Sequence, residues 1–143
     1  MCRDPTQFER VSSAAIWEQQ VGYCRALRAG DLVFVTGTAP VDETGAGVHA
    51  PGDAYAQCRR SLELIERAIS AFALDRTRIV RTRMFVTDIS RWAEYGRAHA
   101  EFFGEHRPTT TMVEVRALID PAMLIEIEAD AVCAEGAGSG QVR

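Results

Sequence analysis

The stretch Ile125-Glu126-Ile127-Glu128-Ala129-Asp130-Ala131 alternates apolar and acidic side chains over seven positions without a break. Successive side chains of a strand point to opposite faces, so this segment calls for a sheet with two unlike sides. Ile125, Ile127, Ala129, Ala131 and Cys133 form the apolar side, and Glu126, Glu128 and Asp130 the charged one. The apolar side must be covered, and amphipathic helices are available to cover it. Asp53 stands at an N-cap position, and Cys58, Leu62, Ile65, Ile69 and Phe72 follow it at helical spacing. Ser90 is expected to cap a second helix with the stripe Trp92, Tyr95, His99 and Phe102, ended by Gly104 and Pro108.

The remaining segments supply the other strands. Cys24 to Thr36 reads as a hairpin turning at Ala29-Gly30-Asp31, and Thr38 to Pro51, with two Gly and two Pro, as a loop. Ile79 to Thr87 alternates, with Val80, Thr82, Met84 and Val86 on one face and Ile79, Arg81, Arg83 and Phe85 on the other. Strands over Thr111 to Arg116 and Leu124 to Cys133 flank a turn at Asp120-Pro121. The order hairpin, α, β, α, β, β predicts an α+β fold, one mixed or antiparallel sheet with two helices on one face. Arg81, Arg83, Glu114 and Arg116 would then share the second face with the acids and pair across strands. Phe-Val-Thr occurs at 34–36 and again at 85–87, each time before a helix, which is compatible with a βαβ pseudo-repeat.

A chain of 143 residues, 47% hydrophobic and 25% charged, suits one domain over 1–143, with a core at about 17–133 and a flexible Gly-rich tail at 135–143. The net charge of -4 offers nothing to a phosphate backbone, so nucleic acid is an unlikely partner. No apolar run reaches membrane-helix length and MCRDPTQFER lacks a signal-peptide core, which together point to a cytoplasmic protein without a membrane partner. The cysteines at 2, 24, 58 and 133 lack metal or redox spacing and read as reduced, mostly buried thiols. His49, His99 and His106 are too dispersed for a metal site, with His99 read as a packed histidine, and TGTAPVDETGAG lacks the dinucleotide fingerprint; no metal or cofactor is expected. Among carboxylates, Glu126, Glu128 and Asp130 could supply a general base, or could equally make a salt-bridged sheet face. Tyr23, beside Gly22 at the mouth of a strand, is the one aromatic set apart from the core.

Three blocks, DLVFVTGTAP from Asp31, RMFVTDISRW from Arg83 and PTTTMVEVRALIDPAMLIEIEADA from Pro108, resemble the Rid family, also called YjgF-like or endoribonuclease L-PSP-like. The similarity runs from about Trp17 to Cys133. It implies a chorismate-mutase-like fold and a homotrimer with three clefts between subunits. Members of the deaminase type hydrolyse reactive imines and enamines such as 2-aminoacrylate without a cofactor. Their cleft uses an arginine for the substrate carboxylate, a glutamate to position water, a tyrosine and a small hydroxyl. Carried over, the glutamate falls on Glu126, the tyrosine on Tyr23, and the hydroxyl on Thr36 beside Gly37. The arginine falls on Thr110, close to Met112, and a family asparagine on Ser90.

A threonine cannot give a carboxylate two parallel charged hydrogen bonds. The resemblance therefore implies a divergent subgroup whose substrate is not 2-aminoacrylate, unless Arg25, Arg28, Arg81 or Arg83 supplies the charge. Three functions follow in order: a hydrolase or deaminase of a C–N substrate, with Glu126 and Tyr23 catalytic and Thr36, Gly37, Ser90, Thr110 and Met112 lining the cleft; a non-catalytic ligand-binding or regulatory trimer; and an endoribonuclease.

Overall fold

The computed structural model describes residues 8–133. The tail expected at 135–143, and Cys2, lie outside them. Six strands, β1 (Glu9–Val11), β2 (Ala26–Ala29), β3 (Leu32–Thr38), β4 (Ile79–Val86), β5 (Thr109–Glu114) and β6 (Ile125–Val132), form one sheet in the order β1-β2-β3-β6-β4-β5. Three helices accompany it: α1 (Ile16–Val21), α2 (Ala54–Ser70) and α3 (Trp92–Phe103). The β4–β5 pair is parallel and every other pair antiparallel, so the expected mixed sheet forms, with one short strand and one short helix beyond the expected elements.

Local chemistry explains the elements. The Asp53 carboxylate accepts a hydrogen bond from the Ala56 amide at 2.9 Å, and Cys58, Leu62, Ile65 and Ile69 all point inward and are fully buried. The β2–β3 hairpin turns at Gly30, whose φ of 63° suits a residue without Cβ. On β6 the inward set is buried as the alternation predicts: Ile125, Ile127, Ala129 and Ala131 lie under α2 and α3, with Cys133 half-buried. β3 and β4 both run antiparallel to β6, each followed by a helix, so the two Phe-Val-Thr segments lie in the C-terminal parts of the strands on either side of it, the second running one residue past β4. No helix among the described residues is long and apolar enough to cross a membrane.

Four expectations need correction. Ile79, not Val80, joins the buried face, because a register shift between Ile79 and Arg81 against β6 turns the strand; Val80 is 46% exposed. Ser90 does not cap α3. The Asp88 carboxylate accepts from both its amide and its hydroxyl and caps a 3-10 turn leading into α3, while Trp92 is 62% exposed and leaves the stripe to Tyr95, Ala98, Phe102 and Phe103. Glu114 pairs in register with Val86 and so faces the helices rather than the acids, and Arg116 lies past the end of β5. Of the cysteines described only Cys58 is fully buried, its thiol pushed up to about 12 by burial.

Candidate functional site

A second register shift, in β3 between Val35 and Thr38, gives Thr36 and Gly37 a bulge against β6. Glu126 stands over it. A Cβ on Gly37 would lie 3.0 Å from Glu126 Cδ and 3.1 Å from Oε2, so glycine here makes room for the carboxylate. The bulge is held from within by the Thr38 hydroxyl, which donates to the Thr36 carbonyl at 2.8 Å. From outside, Arg25 Nη1 donates to the Gly37 carbonyl at 3.3 Å and to Thr38 Oγ1 at 3.2 Å.

The three acids of β6 are separated by their neighbours. Arg83 Nη1 lies 3.1 Å from Glu128 Oε1 and 3.6 Å from Asp130 Oδ2, and Arg81 lies 4.0 Å from Asp130, so these two acids form the salt-bridged face. Glu126 is paired in register with Phe85 and joins no ion pair among the described residues. Burial raises its carboxyl above the ordinary carboxylate value, Arg25 opposes the rise, and Glu128 adds to it. A carboxylate so placed is a better proton acceptor than an exposed one. Tyr23, Thr36, Gly37, Phe85, Glu126 and Glu128 together line an open cleft on this face.

Arg25 is itself held. Its Nη2 lies 3.5 Å from Glu18 Oε2, and the Glu18 carboxylate also accepts from the Ser13 amide at 2.9 Å and from the Ser13 hydroxyl. The guanidinium lies 5.7 Å from the centre of the Tyr23 ring. Of the four arginines considered for the missing charge, Arg25 is the one at the site. Arg28 turns back onto the Gly30 carbonyl, and Arg81 and Arg83 serve β6. Nothing in the sequence flagged Ser13 or Glu18, which act through contacts rather than spacing.

Thr110, Met112 and Ser90 are not brought to Glu126 within one chain. Thr110 and Met112 pair with Thr82 and Met84 and so lie on the helix face of the sheet, at its β5 edge. There the Thr82 hydroxyl donates to Thr110 Oγ1 at 2.7 Å, with His99 Nε2 at 2.8 Å on its other side. Burial holds the His99 ring neutral, its pKa near 4. Ser90 is engaged by Asp88. Among the described residues no group of three His, Cys, Asp or Glu could hold a metal ion.

Residues 13–133 match the family model described as endoribonuclease L-PSP. The chain is 37% identical over 108 residues to the 3-aminoacrylate deaminase RutC of Acinetobacter baylyi, covering 73% of this chain and 82% of that protein. It is likewise 37% identical over 114 residues to the 2-iminobutanoate/2-iminopropanoate deaminase of Salmonella typhimurium, covering 77% and 86%. Among solved structures, Rv2704 from Mycobacterium tuberculosis, a member of the YjgF/YER057c/UK114 family, superposes with a TM-score of 0.78 at 47% identity over 88% of this chain and 99% of that one.

Proposed function

Since the chain belongs to the endoribonuclease L-PSP (YjgF/Rid) family, we propose that it is a cofactor-independent hydrolase of a C–N substrate, an imine or enamine, acting in clefts between the subunits of a homotrimer. The observation that carries this reading is Glu126. It is the one acid of its strand left without an ion pair, and it sits over a glycine-floored bulge with its carboxyl raised by burial. Its carboxylate takes a proton from water as the water oxygen bonds to the imine carbon, and hands that proton to the nitrogen. Glu126 then moves the hydroxyl proton of the resulting carbinolamine to its nitrogen, so that the C–N bond breaks, ammonia leaves and a carbonyl compound remains. Tyr23 and the hydroxyl of Thr36 orient the substrate against Gly37.

Thr110, Met112 and Ser90 would complete the cleft from the neighbouring subunit. The open sheet face, where Phe34 and Val113 are exposed beside paired charges, is suited to burial against other copies. With threonine at 110, this chain is read as a subgroup that does not process 2-aminoacrylate, and the reacting carbon of its substrate carries no carboxylate.

The test is ammonia release from freshly generated imines and enamines, 2-aminoacrylate included, by wild type, Glu126→Gln and Thr110→Arg, with the oligomer measured by light scattering. Turnover that Glu126→Gln loses by about a hundredfold or more supports the reading. Turnover indifferent to Glu126, or a monomer at micromolar concentration, refutes it. A silent wild type beside an active Thr110→Arg would instead favour a trimer that binds a ligand without converting it.

A further inference from the structure

One flank of helix α2 borders a cavity. Arg60, Leu64, Arg67 and Ala68 recur at helical spacing beside the core stripe of Cys58, Leu62, Ile65 and Ile69, with Arg60 and Ala68 buried, Leu64 half-buried and Arg67 exposed, and they line a cavity of about 370 Å³. The other walls are the segment before α1 with Trp17, the loop after β3, and Met123; Glu126 and Gly37 form the boundary with the cleft described above. At the roughly 30 Å³ a water occupies in the liquid, such a space holds about a dozen waters. A three-carbon imino acid would leave most of it wet, whereas its volume and apolar walls match those of sites that enclose larger organic ligands.

Three arginines line this cavity, and they differ in what holds them. Arg60 is committed: its Nε donates to the Val41 carbonyl at 2.9 Å and its Nη1 lies 3.1 Å from Glu43. Arg25 is tied to Glu18. Arg67, exposed at the rim, has no ion pair within the described residues. We infer that this cavity receives the apolar body of the substrate, an aromatic or branched group whose anionic end meets Arg67 while its C–N carbon lies at Glu126. The position of the C–N carbon rests on the function proposed above; the compartment itself does not. An anion held at Arg67 is separated from the reacting carbon by the length of the apolar group, which reconciles an acidic substrate with a threonine at position 110.

The probe is 3-phenylpropionate, with 3-phenylpropionamide as its uncharged counterpart and acetate as the anion without a body. Calorimetric titration of the full chain is combined with Trp17 emission in a Trp92→Phe background. Saturable binding of the phenyl acid is expected, weaker by about tenfold in Arg67→Met, where the amide is unaffected. Leu64→Trp, checked by melting curve, should abolish binding of both; acetate should not bind.

No saturation by about 10 mM, or a phenyl acid that binds Arg67→Met as well as wild type, overturns the inference. Arg67→Met is a surface change, so the test survives a misfolded Leu64→Trp. Phenyl-acid binding without any imine turnover would sink the proposed hydrolase and leave the compartment standing. Turnover of small imines with no phenyl-acid binding would remove the compartment alone.

Discussion

Replacing Arg25 by methionine should be among the most damaging single changes in this protein, and the structure indicates by how much. The Arg25 side chain is 12% exposed and its partner Glu18 5%, with Nη2 and Oε2 3.5 Å apart. At an effective dielectric near 20, that separation corresponds to about 5 kcal/mol of attraction, against which the desolvation of both groups must be set. Removing only the cation keeps the desolvation and loses the attraction, which for a buried pair costs about 3–5 kcal/mol. Glu18 would retain only its hydrogen bonds from Ser13, and the Gly37 carbonyl and Thr38 hydroxyl would lose their guanidinium donor. We expect a loss of about 3 kcal/mol in urea unfolding, or roughly 10 °C in melting temperature for a chain of this size, measured at one protein concentration because any association would contribute to the midpoint. Adding Glu18→Gln removes the stranded charge and should recover at least half of the loss. A penalty for Arg25→Met under about 1 kcal/mol, or a double variant no more stable than the single one, would show that the pair is not a buried clamp.

Other consequences are equally open to measurement. In Gly37→Ala the new methyl group displaces the Glu126 carboxylate by a few tenths of an ångström; stability should fall by only about 1 kcal/mol, while on the function proposed ammonia release falls tenfold or more, and a rate equal to that of wild type would contradict the role proposed for Glu126. Ala73 follows α2 with a φ of 59°, where a side chain is strained, so Ala73→Gly should raise the unfolding free energy by up to about 1 kcal/mol; a loss would refute that account. His99, depressed from 6.5 to about 4, favours the folded state only while neutral. Its contribution is therefore complete above pH 6.5 and lost as pH falls towards 4, on the order of 2–3 kcal/mol. His99→Gln, which can still donate to Thr82, should flatten the urea midpoint over that interval, and parallel curves would exclude His99 as the source.

What the sequence determined by itself was whatever burial imposes on local periodicity. The alternation of β6 and the stripe of α2 are set by which side chains must leave water, and they predicted the sheet, its covering helices and its charged face. Family resemblance pointed to Glu126, Tyr23, Thr36 and Gly37, and the fold brings these four to one cleft. Register was not legible, because one residue of slip depends on all the neighbouring strands at once: it moved Ile79 inward, sent Glu114 to the helix side, and put Thr110 across the sheet from Glu126. It also decided which acid of β6 is left unpaired. Glu126, Glu128 and Asp130 are equivalent as letters, but β4 opposes the last two with arginines and the first with Phe85. Only the tertiary structure could choose among them, since an ionisable group takes its chemistry from what is packed against it.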